Sequence, residues 1–335
     1  MIYHGFGRVV RSVGGLFSVR MFDGTSRLYA QPYEPMPLDG KTVQARGRGV
    51  LHRKGALLVG DLCEVSYDDT AFSVAESGEL LLLEDGGGVA IDRVCDRKNA
   101  LIRPPMANLD VLFVTLAAAS PDPMLETVDK LIAIAEFNEI EPVIVVTKGD
   151  LAPAYAEELA ERYRKAGFAA FFTALDREVE QSALSDYITH NLDGKIAAFS
   201  GASGVGKSTM LNRLFPHLSL ETGEISRRIE RGKNTTRSVE LYPLSEEADC
   251  GFLADTPGFT MLDFERFDFF DKEDLPYTFR EFVPHIGDCR YTKCTHTKED
   301  GCAILDAVRR GEIAKSRHDS FVSLYEVLKK KTKWS

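Results

Sequence analysis

The sequence predicts a multidomain α/β chain: an N-terminal β-barrel, a central domain of parallel strands alternating with helices, and a C-terminal helical unit gathered around cysteines and a histidine. Three observations carry this expectation. Residues 7–91 read as short alternating segments broken by Gly, Asp-Gly and Pro; from about residue 97 apolar runs alternate with helical patterns; and Cys289, Cys294, His296 and Cys302 crowd into fourteen residues. The expected boundaries are 1–95, 96–263 and 264–335.

The barrel rests on period-two alternation in segments such as 7–10, 16–21, 42–45 and 62–65, where successive side chains point to opposite faces. A five-stranded oligonucleotide-binding (OB) barrel fits the size and the basic segment 41–54, with Lys41, Arg46, Arg48, Arg53 and Lys54; strand count alone allows an SH3-like barrel equally. Such a charge run is also what a solvated face looks like. In the central domain the runs 111–116, 143–147, 169–173, 196–200 and 251–254 read as buried parallel strands. Between the first two, Leu125, Val128, Leu131, Ile132 and Ala135 recur at helical spacing after the turn Ser120-Pro121-Asp122-Pro123. The C-terminal unit closes with an amphipathic helix whose apolar face, Ile313, Phe321, Leu324, Tyr325 and Leu328, is read as packing surface.

Composition bounds the function. With 335 residues, 44% hydrophobic and 27% charged, the chain can bury more than one core. It has no apolar run of membrane-spanning length, and Arg8 and Arg11 interrupt the N-terminus where a signal core would lie, so a soluble cytoplasmic protein is expected. A net charge of -10 argues against a polyanionic partner, yet the charge is sorted along the chain. Residues 1–60 carry nine Arg and Lys against three Asp and Glu, whereas 61–92 carry nine acidic residues and no basic one. Further basic clusters lie at Arg227, Arg228, Arg231, Lys233 and Arg237, and at Lys329, Lys330, Lys331 and Lys333, where phosphate can be met locally. Cys63, Cys95 and Cys250 are scattered, so the tight C-terminal cysteines point to a metal rather than to disulfides.

Directly after the apolar run 196–200 comes Gly201-Ala202-Ser203-Gly204-Val205-Gly206-Lys207-Ser208-Thr209, a complete G-x-x-x-x-G-K-S followed by a helical pattern. Its glycines let backbone N–H groups curl around phosphates, Lys207 supplies a cation to the β and γ groups, and Ser208 can ligate Mg2+. Thr147-Lys148-Gly149-Asp150 ends another apolar run. A carboxylate at Asp150 accepts from both N–H donors of guanine, whereas adenine presents an acceptor there, so GTP and GDP are the expected nucleotides. Asp255-Thr256-Pro257-Gly258 fits a loop that senses metal and γ-phosphate, with Asp255 acting through water and Gly258 donating its N–H. One of Thr235 and Thr236, in a polar stretch between these motifs, can reach Mg2+; the sequence does not choose between them. Thr173 and Ala174 form a candidate loop at the base edge. Asp150 separates this pattern from P-loop small-molecule kinases, and intact Lys207, Ser208 and Asp255 separate it from a purely RNA-binding module.

The base motif precedes the phosphate loop, the reverse of the ordinary order. A parallel sheet needs only that its loops meet at one carboxyl edge, so a permuted chain can build the same pocket.

Taken together, these residues resemble the ribosome small-subunit-dependent GTPase family RsgA, also called YjeQ or YloQ. The resemblance covers nearly the whole chain and rests on the permuted order TKGD, GASGVGKST, DTPG, on RGKNTTR at 231–237, and on Cys289-x4-Cys294-x-His296-x5-Cys302. It implies an OB-type barrel, a central circularly permuted P-loop GTPase domain and a C-terminal zinc-binding helical domain. It further implies late maturation of the small (30S) ribosomal subunit, rRNA contact, and GTP hydrolysis stimulated by the ribosome and coupled to release; a monomer is expected. Three thiolates and one imidazole make the closed tetrahedral set of one structural Zn2+, with no open position for a water nucleophile. The chain departs from the family at Asn234, where the family commonly carries His; Asn cannot take up a proton in the useful range. Phe259 follows Gly258 where many GTPases approach a catalytic glutamine, so slow intrinsic hydrolysis is expected.

Overall fold

The computed structural model describes residues 2–22, 40–52, 56–68, 71–74, 80–82, 88–102, 104–174, 178–215, 239–245, 250–255 and 271–330. Arg53, Lys54, the cluster Arg227 to Arg237 with Asn234, Thr235 and Thr236, the positions Gly258 and Phe259, and the tail lysines Lys331 and Lys333 lie outside the described residues. Two compact units are formed: residues 1–110, 188–198 and 215–258, and residues 111–187, 199–214 and 259–335.

In the first unit, β1 (Ile2–Val13) and β2 (Leu16–Met21) form a hairpin across Gly14 and Gly15, both with φ positive, as a two-residue turn matched to strand twist requires. β3 (Thr42–Gly47) pairs antiparallel with β2; β4 (Leu62–Asp68) pairs antiparallel with β1. A small hairpin of β5 (Phe72–Val74) and β6 (Leu80–Leu82) precedes β7 (Val89–Val94), which runs antiparallel to β4 and parallel to β3 at Arg46↔Ala90 and Gly47↔Ile91. The ring β1-β2-β3-β7-β4-β1 therefore closes through one parallel pair, which decides for an OB-type circuit over the alternative that strand count left open. Alternate residues fill it: Val9, Val19, Val43, Ala45, Cys63, Val65 and Ile91 are fully buried.

Beyond the barrel come β8 (Ala100–Ile102) and β9 (Pro105–Ala107), a hairpin whose flanks are joined by Asn99: its Nδ2 donates to Leu109 O at 2.8 Å and its Oδ1 accepts from Leu109 N at 3.0 Å. The same unit holds β14 (Glu240–Pro243) and β15 (Phe252–Asp255), antiparallel to each other, with β15 parallel to the first residues of β13 (Ile196–Ser200). β14 also pairs with the barrel, Arg11 lying opposite Glu240.

The second unit carries the parallel strands β10 (Val111–Ala117), β11 (Glu141–Thr147) and β12 (Ala169–Phe172). They are connected by α1 (Leu125–Phe137) and α2 (Pro153–Lys165), and α3 (Glu178–Asn191) follows. All seven residues of β10 are buried, as the uninterrupted apolar run required. α4 (Lys207–Leu214) starts where the glycine-rich segment ends. The C-terminal part has two short 3-10 turns (Leu275–Thr278, Val283–His285), then α5 (Ala303–Arg309) and α6 (Lys315–Lys330). Phe279, Phe282 and Phe321 are fully buried with ring centroids 5.0 to 5.5 Å apart, and all five residues of the expected stripe are buried. Two arginines tie this part to the sheet layer. Arg280 forks onto both carboxylate oxygens of Glu141 at 3.1 and 2.7 Å and reaches Glu136 on α1 at 2.6 Å. Arg317 on α6 meets Asp129 on α1 at 2.6 Å. Among the described residues no helix is long and apolar enough to cross a membrane.

Candidate nucleotide and metal sites

The loop 201–206 leaves β13 and enters α4, the strand-to-helix context that the motif demands. Gly201 sits so close to β10 that a Cβ there would lie 2.2 Å from the Thr115 carbonyl oxygen. No other residue type fits. Gly204 and Gly206 take left-handed φ of 77° and 95°, backbone that glycine adopts without strain and that lets a phosphate-binding loop present its N–H groups to an anion. Lys207 Nζ donates to Gly201 O at 2.6 Å and Ala202 O at 2.9 Å. An ammonium has three protons, so one remains for an anion. Burial pushes the Lys207 pKa below the ordinary lysine value, a cost that an incoming phosphate would reverse. Ser208 is half-buried at the first turn of α4, and Ser203, Gly204 and Thr209 are exposed.

The loop at the end of β11 is assembled against this cradle within the same unit. Thr147 is buried, and its Oγ1 lies 3.2 Å from Leu116 O and in contact with the carbonyl of Val205, inside the phosphate loop. One hydroxyl proton serves one carbonyl at a time, so the closer Val205 is the principal acceptor. Lys148, at φ 57°, donates through Nζ to Ser120 O. Gly149 N donates to Thr173 O at 2.9 Å, and Thr173 N donates to Val146 O at 2.7 Å. These bonds join the loop 147–150 to Thr173 and the buried Ala174, leaving Asp150 half-buried beside them. The structure thus gathers Thr147 to Asp150, Thr173 and Ala174, and Gly201 to Thr209 in one body. Asp255 ends β15 in the first unit, and its side chain is outside the described residues.

The Cys/His cluster is compact. The ligating atoms of Cys289, Cys294, His296 and Cys302 all lie within 4.8 Å of one another. Cys289 Sγ is 3.9 Å from Cys302 Sγ, and His296 Nδ1 is 3.5 and 3.6 Å from the same two sulfurs. A tetrahedral Zn2+ with bonds of about 2.3 Å to sulfur implies S to S edges of about 3.8 Å, so these residues fit that ion. Burial first, and then the neighbouring Cys302 and Cys289 sulfurs, push the Cys294 thiol up to about 12; a cation is what would make this set thiolate. Glu299 organises the turn: against the effect of burial, bonds from the hydroxyl and backbone N–H of Thr295 and from neighbouring amides hold its carboxyl down to about 2. His296, at φ 59°, presents its carbonyl to His318 Nε2 at 2.8 Å.

Sequence reading did not single out Thr115, Asp129, Arg280, Arg317 or His318. A signal existed for two of them, since Arg317 and His318 precede Phe321 by four and three residues and so share its face.

Comparison with known proteins follows the same lines. The family model described as RsgA GTPase matches residues 94–265. The chain is 36% identical over 293 residues to the small ribosomal subunit biogenesis GTPase RsgA of Alkaliphilus metalliredigens, covering 87% of this chain and 92% of that protein. It is 34% identical over 329 residues to the protein of that name from Caldanaerobacter subterraneus subsp. tengcongensis, covering 98% and 97%. Among solved structures it resembles YloQ, a circularly permuted GTPase, with TM-score 0.69 and 28% identity over 98% of this chain and 96% of that one. It also resembles YjeQ from Thermotoga maritima, with TM-score 0.71 and 26% identity over 98% and 100%.

Proposed function

The chain belongs to the RsgA GTPase family, and from that premise we propose that it is a GTP-hydrolysing factor that binds the small (30S) ribosomal subunit, assists its late maturation, and leaves on hydrolysis. One observation carries the nucleotide part: Thr147, which opens the base motif, touches Val205 inside the phosphate loop, although the two stand in reversed order along the chain. Guanine is read by Asp150 with Thr173 and Ala174 at its edge, and Lys148 flanks it. The phosphates lie in loop 201–206 with Lys207 on the β and γ groups. Ser208, Asp255 through water, and one of Thr235 and Thr236 would hold Mg2+, which supplies charge neutralisation on the transferring phosphate; Gly258 donates its N–H to the γ-phosphate.

Neither Asn234 nor Phe259 supplies a general base. The reading therefore has hydrolysis slow in isolation and accelerated by the subunit. The OB-type barrel and the basic clusters hold rRNA, with domains at 1–95, 96–263 and 264–335, a single structural Zn2+ on Cys289, Cys294, His296 and Cys302, a monomeric chain and a cytoplasmic location. The segment after Gly258 leads directly into the C-terminal domain, which gives loss of the γ-phosphate a route to release. The test is GTP turnover with and without isolated small subunits, on protein shown to bind GTP. Strong stimulation is expected; an unchanged rate would refute the ribosomal assignment, and equal competition by ATP would refute the reading of Asp150.

A further inference from the structure

The two helices that flank the base motif converge on one buried carboxylate. Asp129 lies at the fifth position of α1 and is 1% exposed. Tyr163 of α2 donates to its Oδ1 at 3.1 Å, and Arg317 of α6 donates to the same atom at 2.6 Å. Arg317, also 1% exposed, donates through Nε and Nη2 to the two carboxylate oxygens of Glu281 at 2.6 and 3.1 Å and lies over the Phe279 ring at 4.5 Å. A carboxylate this deep is held ionised only by a paired cation; remove the cation and it must protonate, draw in water or move.

Both helices are fastened to the base loop. The segment entering α1 touches it twice: Ala118 N donates to Thr147 O at 2.9 Å, and Ser120 O accepts from Lys148. α2 begins at Pro153, three residues after Asp150. We propose that Arg317, although it belongs to the C-terminal part, is a positioning residue for guanine recognition, acting through Asp129 to fix α1 and α2 around the loop 147–150. This rests on the proposed reading of Asp150. It makes the metal-binding part a brace for base selection, since His318, the next residue on α6, is bonded to the carbonyl of the ligand-set residue His296.

The experiment measures GDP and ADP dissociation constants on the full-length, metal-loaded chain, with metal content and far-UV circular dichroism confirming each variant. ADP shares the phosphate loop but not the contact to Asp150, so a shift of the base loop lowers GDP affinity alone. Arg317→Met is expected to weaken GDP by about tenfold, equivalent to about 1.4 kcal/mol, and to leave ADP unchanged. Arg317→Lys, which keeps the charge without the fork, should lower GDP by about threefold. Asp129→Leu and Glu281→Gln combined with Arg317→Met remove both stranded charges and should restore GDP to within about twofold of the parent. A folded Arg317→Met with the parental GDP to ADP ratio overturns the proposal; if that variant does not fold, an unchanged ratio in Arg317→Lys does so. Asp150→Asn is the control. If it leaves the preference for GDP intact, the base-site reading falls and takes this proposal with it; if it abolishes the preference while Arg317 variants do not, Arg317 alone is refuted.

Discussion

Two parts of the second unit are held by different chemistry. The phosphate loop is fixed by backbone: Gly201 abuts the Thr115 carbonyl, and Lys207 closes onto the carbonyls of Gly201 and Ala202. The C-terminal part is fixed by side chains: Arg280 on Glu136 and Glu141, Arg317 on Asp129 and Glu281, and four converging metal-type ligands. The first depends on what is missing, a Cβ. The second depends on groups being present in matched sets, because an unmatched buried charge or thiolate costs more than its partner contributes. A loop of the first kind is broken by adding atoms, and a region of the second kind by removing one member of a set.

The largest expected effect breaks the second part. Stripping the metal, or Cys294→Ser, should remove on the order of 10 kcal/mol from the C-terminal part. Hydrogen exchange across residues 271–330 should rise sharply while β10 and β11 stay protected; unchanged exchange would mean that the aromatic and arginine packing suffices alone. Next comes the phosphate loop. Gly201→Val drives a side chain into the Thr115 carbonyl and should weaken GDP about a hundredfold, roughly 2.7 kcal/mol, measured by isothermal titration. The junction of loop and base motif is more forgiving: Thr147→Val leaves the Val205 carbonyl without its donor and should cost about 1 to 2 kcal/mol in urea unfolding, with Thr147→Ser near the parent. The smallest effect sharpens the contrast with exposed charge. Lys315→Ala removes an i,i+4 pair with Asp319 whose side chains are 79% and 56% exposed, and should change stability by less than about 0.5 kcal/mol.

The same contrast explains what could be read from sequence. Features confined to a short stretch of chain leave local marks, whether built of backbone or of side chains: the glycines at 201, 204 and 206, the run 147–150 at the end of an apolar strand, and ligands within fourteen residues. The five apolar runs of the central domain became β10, β11, β12, β13 and β15. Features that depend on distant partners leave no mark of the partner. The barrel closes through Arg46↔Ala90, a pairing of residues 44 positions apart that local alternation cannot reveal, so the sequence alone is compatible with an SH3-like ring and the parallel contact decides against it. Strand β14 is four residues long and pairs with the barrel, which no internal periodicity announces. Arg317 reads as a solvated helix residue because its partner Asp129 is 188 positions earlier, although its spacing from Phe321 places it on the apolar face.

The most direct test of the account is a crystal structure of the chain with GDP and Mg2+. The carboxylate of Asp150 should lie within hydrogen-bond distance of both guanine N–H donors while Lys207 Nζ contacts the β-phosphate. A base bound away from Asp150, with the phosphates still on Lys207, would contradict it.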